Sequence, residues 1–225
     1  MATFLLIYTA TAHASVCIVK DGEVLGSLET SDQKSHASFI QPAIESLCKQ
    51  TGTALNTIDA IGISLGPGSY TGLRVGMATA KGIAYATGKP LIGINTLQII
   101  AAAAMSKHPS HNGSICSLLD ARRMEVFTGI YAHTLEPLTT STALILDAQS
   151  FENELEKSPI LFVGDGAQKF KEICSHASAI FDTSLTYSAL DMIELTEKAF
   201  VLADFLDLAY SEPLYIKAFH DTRKP

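Results

Sequence analysis

An α/β fold in two similar halves is what this sequence predicts, and three observations carry the prediction. The first thirty residues read as three short strands folded back on one another. From Phe39 to Met105, strand and helix patterns alternate. Beyond a polar break at residues 108–114, a second set of strands and helices follows. Alternation of this kind produces strands layered with helices rather than a bundle or a sandwich.

The elements follow in order. Phe4–Tyr8, Ser15–Val19 and Glu23–Leu28 are β-rich runs, the last two separated by Lys20-Asp21-Gly22. An Asp-Gly turn between such runs signals a hairpin, because Gly takes the positive φ of a tight turn without strain. The chain therefore opens as an antiparallel meander. Phe39, Ile40, Ala43, Ile44, Leu47 and Cys48 recur at helical spacing, with Pro42 in the early turns and Gly52 just past the end. Asp59–Leu65 reads as a strand, Gly66–Gly72 as a glycine-rich turn, and Thr71–Thr87 as a helix stopped by Gly88 and Pro90. Leu91–Ile94 is another strand, and Asn95 or Thr96 caps a helix through Met105.

The segment His108–Ser114 marks the domain boundary. Residues 1–107 form one subdomain and 108–225 the other, with the last helix packing back on the first subdomain. In the second, Ile115–Leu119 and Met124–Tyr131 are strands, Ser150–Lys157 a charged helix, Ile160–Val163 a strand, and Gly164-Asp165-Gly166 a turn. A last long helix spans about Ser188–Tyr210. Two α/β halves, the first led by a meander, fit the actin/hexokinase-like architecture.

Composition narrows the function. The chain has 225 residues, 47% of them hydrophobic, and 16 Lys+Arg against 23 Asp+Glu give a net charge of −7. Scarce charge and a mean hydropathy of +0.23 exclude a disordered chain and leave apolar surface for a partner. With no run of five basic residues, tight RNA binding by this chain alone is not expected. The N-terminus lacks a signal-peptide pattern, and the longest apolar stretch, Leu97–Met105, is about half a membrane span. Cys17, Cys48, Cys116 and Cys174 are scattered, as in a reducing compartment. A cytoplasmic protein is expected, with no membrane partner.

Gly66–Gly76 joins a strand to a helix, which points backbone N–H groups and a helix N-terminus at an anion or, alternatively, makes a demanding turn without a ligand. Gly66, Gly68, Ser69, Thr71 and Arg74 are the candidate anion or nucleotide contacts. A P-loop requires Gly-Lys-Ser/Thr where Gly72-Leu73-Arg74 stands, and a dinucleotide fingerprint requires Gly at Thr71. Gly62-Ile63-Ser64-Leu65-Gly66 matches a nucleophile elbow, with Asp165 and His220 in hydrolase order, but Pro67 and Gly68 delay the helix that must follow the serine. Gly72, Gly76, Ala80 and Ala84, spaced by four, form a smooth ridge that suits either internal packing or another chain. His108 and His111 lack the spacing of a metal pair and read as solvated loop residues.

Four segments together resemble the TsaB (YeaZ) family: the loop Gly66–Gly76; His36 with Ile40, Pro42, Ile44 and Leu47; Asp120-Ala121-Arg122-Arg123-Met124-Glu125-Val126-Phe127; and Glu212-Pro213-Leu214-Tyr215-Ile216-Lys217. The resemblance implies an actin/hexokinase-like (ASKHA) fold and a part in making threonylcarbamoyladenosine beside the tRNA anticodon. It implies a non-catalytic scaffold or activator subunit that pairs with TsaD and TsaE, meets tRNA only through that complex, and forms a homodimer when TsaD is absent. No catalytic residue, cofactor or metal is expected. TsaD binds metal through His-x-x-x-His, whereas Ile40 follows His36 here, leaving His36 to bond a backbone group. Tyr8-Thr9-Ala10 replaces the family's usual Asp-Thr-Ser/Ala, which removes a carboxylate from any nucleotide site. Phe39, Ile40, Ala43, Ile44 and Leu47, with Gly72, Leu73, Gly76, Ala80 and Ala84, are the expected partner surface. Along Met124–Tyr131, alternate residues are expected to face opposite sides, and Arg122 or Arg123 to pair with an acid. A stand-alone actin-like nucleotide hydrolase or peptidase is the competing reading.

Overall fold

The structure, a computed structural model, describes residues 2–32 and 36–217. Ten strands form two five-stranded sheets with the same topology. In the first, β1 (Thr3–Tyr8), β2 (Ala14–Lys20) and β3 (Glu23–Thr30) make the expected antiparallel meander. β4 (Ala60–Gly66) and β5 (Leu91–Asn95) then add in parallel beside β1, giving the order β3-β2-β1-β4-β5. In the second, β6 (Ser114–Asp120), β7 (Glu125–Tyr131) and β8 (Thr142–Ile145) make the meander, and β9 (Ile160–Val163) and β10 (Ala179–Asp182) add in parallel beside β6. The two short edge strands, β8 and β10, are absent from the sequence reading.

Helices fill the layers. α1 (His36–Thr51) and α2 (Tyr70–Thr87) cover the outer face of the first sheet, packing on Leu5, Ile7, Ile61 and Ile63. α2 stops where expected: Gly88 adopts a left-handed conformation with φ 66°, and its N–H donates to the Ala84 carbonyl. α3 (Thr96–Lys107) is capped by the Asn95 side chain, which accepts from the Leu97 N–H. Its apolar residues are buried all round because it lies between the sheets, joining Phe4, Leu6 and Ile94 to Ile115, Leu161 and Val163 in one core. α4 (Glu152–Leu155) and α5 (Ala167–Lys171), barely a turn each, cover the far face of the second sheet with help from Phe162 and Phe181. The expected charged helix at 150–157 thus contracts to α4.

The expected long C-terminal helix is a correction. A 3-10 turn at Ala189–Met192 leads into α6 (Ile193–Val201), and the chain then leaves the helix through Ala203 at φ 54°. Tertiary contacts override the periodicity: the Leu206 N–H donates to the Leu91 carbonyl, and the Leu206 side chain fills the space over Gly93. α6 packs on the first sheet, with Phe200 edge-on to Phe4 at 5.2 Å and Thr196 beneath Gly62. β7 alternates as expected. Val126 and Ile130 enter the far core, while Phe127 and Tyr131 pack on the core between the sheets.

Candidate functional site

The connections that follow β1, β4, β6 and β9 converge on a crevice of about 550 Å³, at the carboxyl ends of the parallel strands. Ala10–Ala12 and Gly68–Thr71 form one bank; Leu119–Arg122, Glu125, Phe127 and Asp165 form the other; Lys217 reaches in from the C-terminal segment. The glycine-rich turn lies so close to the first strand's exit that a Cβ on Gly68 would fall 2.1 Å from the Ala10 carbonyl oxygen. The Ser69 N–H donates to that same oxygen at 2.6 Å, and the Ser69 hydroxyl accepts from the Gly72 N–H at 3.3 Å, capping α2.

The opposite bank is a charge network. Asp165 Oδ1 accepts from the Asp120 N–H at 2.8 Å, and Lys169 donates to Asp120 at 2.8 Å. Lys217 pairs with Glu125 across 92 residues of sequence, at 2.6 Å. Burial raises the Asp165 carboxyl above the ordinary aspartate range, an effect the Asp120 N–H partly offsets. The expected ion pair of Arg122 or Arg123 with an acid does not occur among the described residues; the Arg122 backbone N–H donates to Asp120 instead, and the lysines supply the ion pairs.

Of the candidate anion contacts, Gly68, Ser69 and Thr71 line the crevice and Gly66 and Arg74 do not. Gly66 instead makes room for the Leu214 carbonyl, and Arg74 lies over the Tyr70 ring at 4.0 Å with its Nε donating to the Tyr215 hydroxyl at 3.0 Å. Tyr8 is buried beneath the crevice against Tyr187, where burial raises its phenol well above the ordinary value. Thr11, Ala12, Asp165 and Lys217 were not legible as crevice residues. One signal was available, since Gly164-Asp165-Gly166 follows β9 much as the glycine-rich turn follows β4.

Ser64 lies within β4, buried, its hydroxyl accepting from the Thr9 N–H at 3.0 Å. It is not the exposed tip of an elbow, and His220 lies outside the described residues. His36 donates from Nε2 to the Ala12 carbonyl at 3.1 Å, the backbone role expected of it, while Ile40 is buried among aliphatic side chains. Among the described residues no group of three or more His, Cys, Asp or Glu is placed to hold a metal. His108 and His111 turn to separate partners, Asp182 at 2.8 Å and the Ser114 carbonyl at 3.1 Å.

The small-residue ridge faces inward. Gly72, Gly76, Ala80 and Ala84 are buried against the chain's own first sheet, as are Ile40, Ala43, Ile44 and Leu47, with Phe39 partly buried beside them, and Leu73 enters the core between the sheets. A Cβ on Gly76 would fall 2.3 Å from Thr9 Oγ1, so the ridge is spent on seating α2. Ile44 also borders the apolar groove of about 380 Å³ between the two helices, with Cys48, Leu55, Ala78, Gly82 and Ile83. No helix among the described residues is long and apolar enough to cross a membrane.

The model of a family described as TsaD: tRNA N6-adenosine threonylcarbamoyltransferase matches residues 23–211. A tRNA threonylcarbamoyladenosine biosynthesis protein TsaB from Haemophilus influenzae is 27% identical, over 96% of this chain and 93% of its own. The protein of the same name from Bacillus subtilis is 30% identical, over 76% of this chain and 74% of its own. Among solved structures, YeaZ from Pseudomonas aeruginosa superimposes with a TM-score of 0.85 at 24% identity, covering 96% of this chain and 100% of the other, a likeness of fold.

Proposed function

Because the chain belongs to the TsaB (YeaZ) family of tRNA threonylcarbamoyladenosine biosynthesis proteins, within the TsaD family, we propose that it is a scaffold or activator subunit without chemistry of its own. It pairs with TsaD, and TsaE joins the pair, for threonylcarbamoyl transfer to the adenosine beside the anticodon of tRNA in the cytoplasm. The observation that carries this reading is the state of the potential reactive groups. Ser64 is bonded to a backbone N–H, His36 holds the Ala12 carbonyl, and the second position of the His-x-x-x-His pattern is a buried isoleucine.

The partner face is the groove between α1 and α2, occupied by a second copy of the chain when TsaD is absent. Gly82 supports this choice. It is exposed in the middle of α2, and a Cβ there would meet nothing within 4 Å. An interior helical glycine costs about 1 kcal/mol relative to alanine, with no packing among the described residues to explain it. Close approach of another helix supplies the missing reason.

Reconstitution tests both parts. Threonylcarbamoyl transfer by TsaD and TsaE is expected to depend on added chain, while the chain alone hydrolyses neither ATP nor peptide. Turnover by the chain alone, abolished in Ser64→Ala, would overturn the reading in favour of a hydrolase. Gly82→Arg is expected to fold normally and to bind TsaD about a hundredfold more weakly, since it lodges a charge in an apolar contact. Unchanged size by light scattering, alone and with TsaD, would move the partner face elsewhere.

A further inference from the structure

We propose that the rim of the crevice contacts a single-stranded RNA loop, with Arg122 and Arg123 on its phosphates and Tyr70 and Tyr215 against its bases. The inference rests on the reading that the chain works in tRNA modification, and it adds an RNA surface to this subunit itself.

The placement of the arginines carries it. The sequence holds four arginines, and of the three among the described residues Arg122 lines the crevice, Arg123 follows it in the same turn, and Arg74 lies over the ring of Tyr70, itself a lining residue. The lysines there are neutralised, Lys169 by Asp120 and Lys217 by Glu125. Arg122 and Arg123 are exposed and form no ion pair with any described residue. Their backbone is also unusual. Both occupy the left-handed region, at φ 72° and 51°, in a turn closed by the Glu125 N–H on the Arg122 carbonyl. Two successive side-chain-bearing residues there are strained where glycine would not be. Arginine at such positions presents two guanidinium forks to solvent at the expense of stability, which points to use.

The neighbouring aromatics decide between ligands. Tyr70 and Tyr215 are 36% and 38% exposed, and their rings lie 5.4 Å apart at 39°. Arg74 lies over Tyr70. Arginine forks beside exposed aromatic faces are the equipment of single-strand recognition, in which bases stack and phosphates are paired. An acidic peptide would use the forks and leave the rings idle. A mononucleotide seated deep in the crevice would bring its phosphates to Asp120, Glu125 and Asp165. A polymer lying across the rim meets the two arginine side chains, while Asp120 beneath them is occupied by Lys169 and the Arg122 backbone N–H. With a net charge of −7, the chain adds this contact to an assembly and does not hold RNA tightly alone.

The test uses the chain paired with TsaD and a fluorescent anticodon stem-loop RNA, titrated across salt concentrations. The double variant Arg122→Gly/Arg123→Gly suits it, because glycine accepts both backbone conformations and the turn survives. At least tenfold weaker binding is expected, with the slope of log affinity against log salt falling by about 1 to 2 and the melting temperature unchanged or higher. Tyr70→Ala is expected to weaken binding with the slope retained. Affinity and slope within twofold of wild type in the double variant would overturn the proposal. Displacement of the RNA by micromolar AMP would overturn it in favour of a mononucleotide site, whereas RNA retained against millimolar AMP and inorganic phosphate supports it. Should the chain not pair with TsaD, light scattering shows that first and refutes the function proposed above. Crosslinking of a thiouridine-bearing stem-loop to the isolated chain at low salt then decides the contact. Crosslinks at Tyr70 or Arg122 support it, and crosslinks elsewhere or none refute it.

Discussion

The two sheets share one strand order and cover their outer faces in opposite ways. The first is covered by two long helices, of which α2 is brought close by glycine and alanine, Gly76 lying directly over Thr9. The second has only α4 and α5, and its face is closed by four phenylalanines, Phe151, Phe162, Phe170 and Phe181, with neighbouring centroids 4.9 to 5.8 Å apart. The same topology therefore tolerates two covering layers. Where helices are long, small residues let many backbone atoms pack; where they are short, a few large rings must supply the buried area.

The largest expected effect breaks the aromatic layer. Phe162→Ala, at the centre of the cluster, is expected to destabilise the protein by about 3–5 kcal/mol in urea unfolding. A loss below 1 kcal/mol would mean that the rings do not carry this face. Next, Gly76→Leu is expected to destabilise by about 3 kcal/mol through overpacking against Thr9 and Ile63. The same change at Gly82, where space is open, should leave the melting temperature unchanged or raised. Equal effects at the two glycines would refute a one-sided ridge.

A smaller effect tests the tie between α3 and the second sheet. Asp182 at the end of β10 accepts from Lys107 and His108 at 2.8 Å and from the Ser184 hydroxyl at 2.8 Å. Burial alone would raise its carboxyl, but these bonds outweigh burial and hold it well below the usual range. A depressed folded-state pKa contributes stability above the unfolded value of about 3.9 and loses it as pH falls further. Asp182→Asn is expected to cost about 2 kcal/mol at pH 7, with the gap to wild type narrowing below pH 4. A gap independent of pH would mean that charge is not the source.

Much of the local structure was legible. The Asp21-Gly22 hairpin, the stop at Gly88, the Asn95 cap and the strand Ile160–Val163 all follow from turn and cap chemistry that acts within a few residues. The ridge was visible as a spacing, but its direction was not, because spacing is the same whether a sheet or another chain lies opposite. The end of α6 was hidden for a related reason. Its apolar pattern continues through Leu206, and only the carbonyl of Leu91 and the gap over Gly93 draw that residue out of the helix.

By itself, then, the sequence determined the class of fold, the opening meander, the helix stops and the family, since each rests on short-range backbone preference or on motifs in order. The tertiary structure alone decided which helix face is buried, which cations keep their carboxylates, and which loops share a crevice. Lys217 and Glu125 lie 92 positions apart, and Asp120 takes Lys169 and the Arg122 backbone N–H while the Arg122 side chain forms no ion pair among the described residues. Contacts at such separation depend on where the sheets set the chain, which no local pattern encodes.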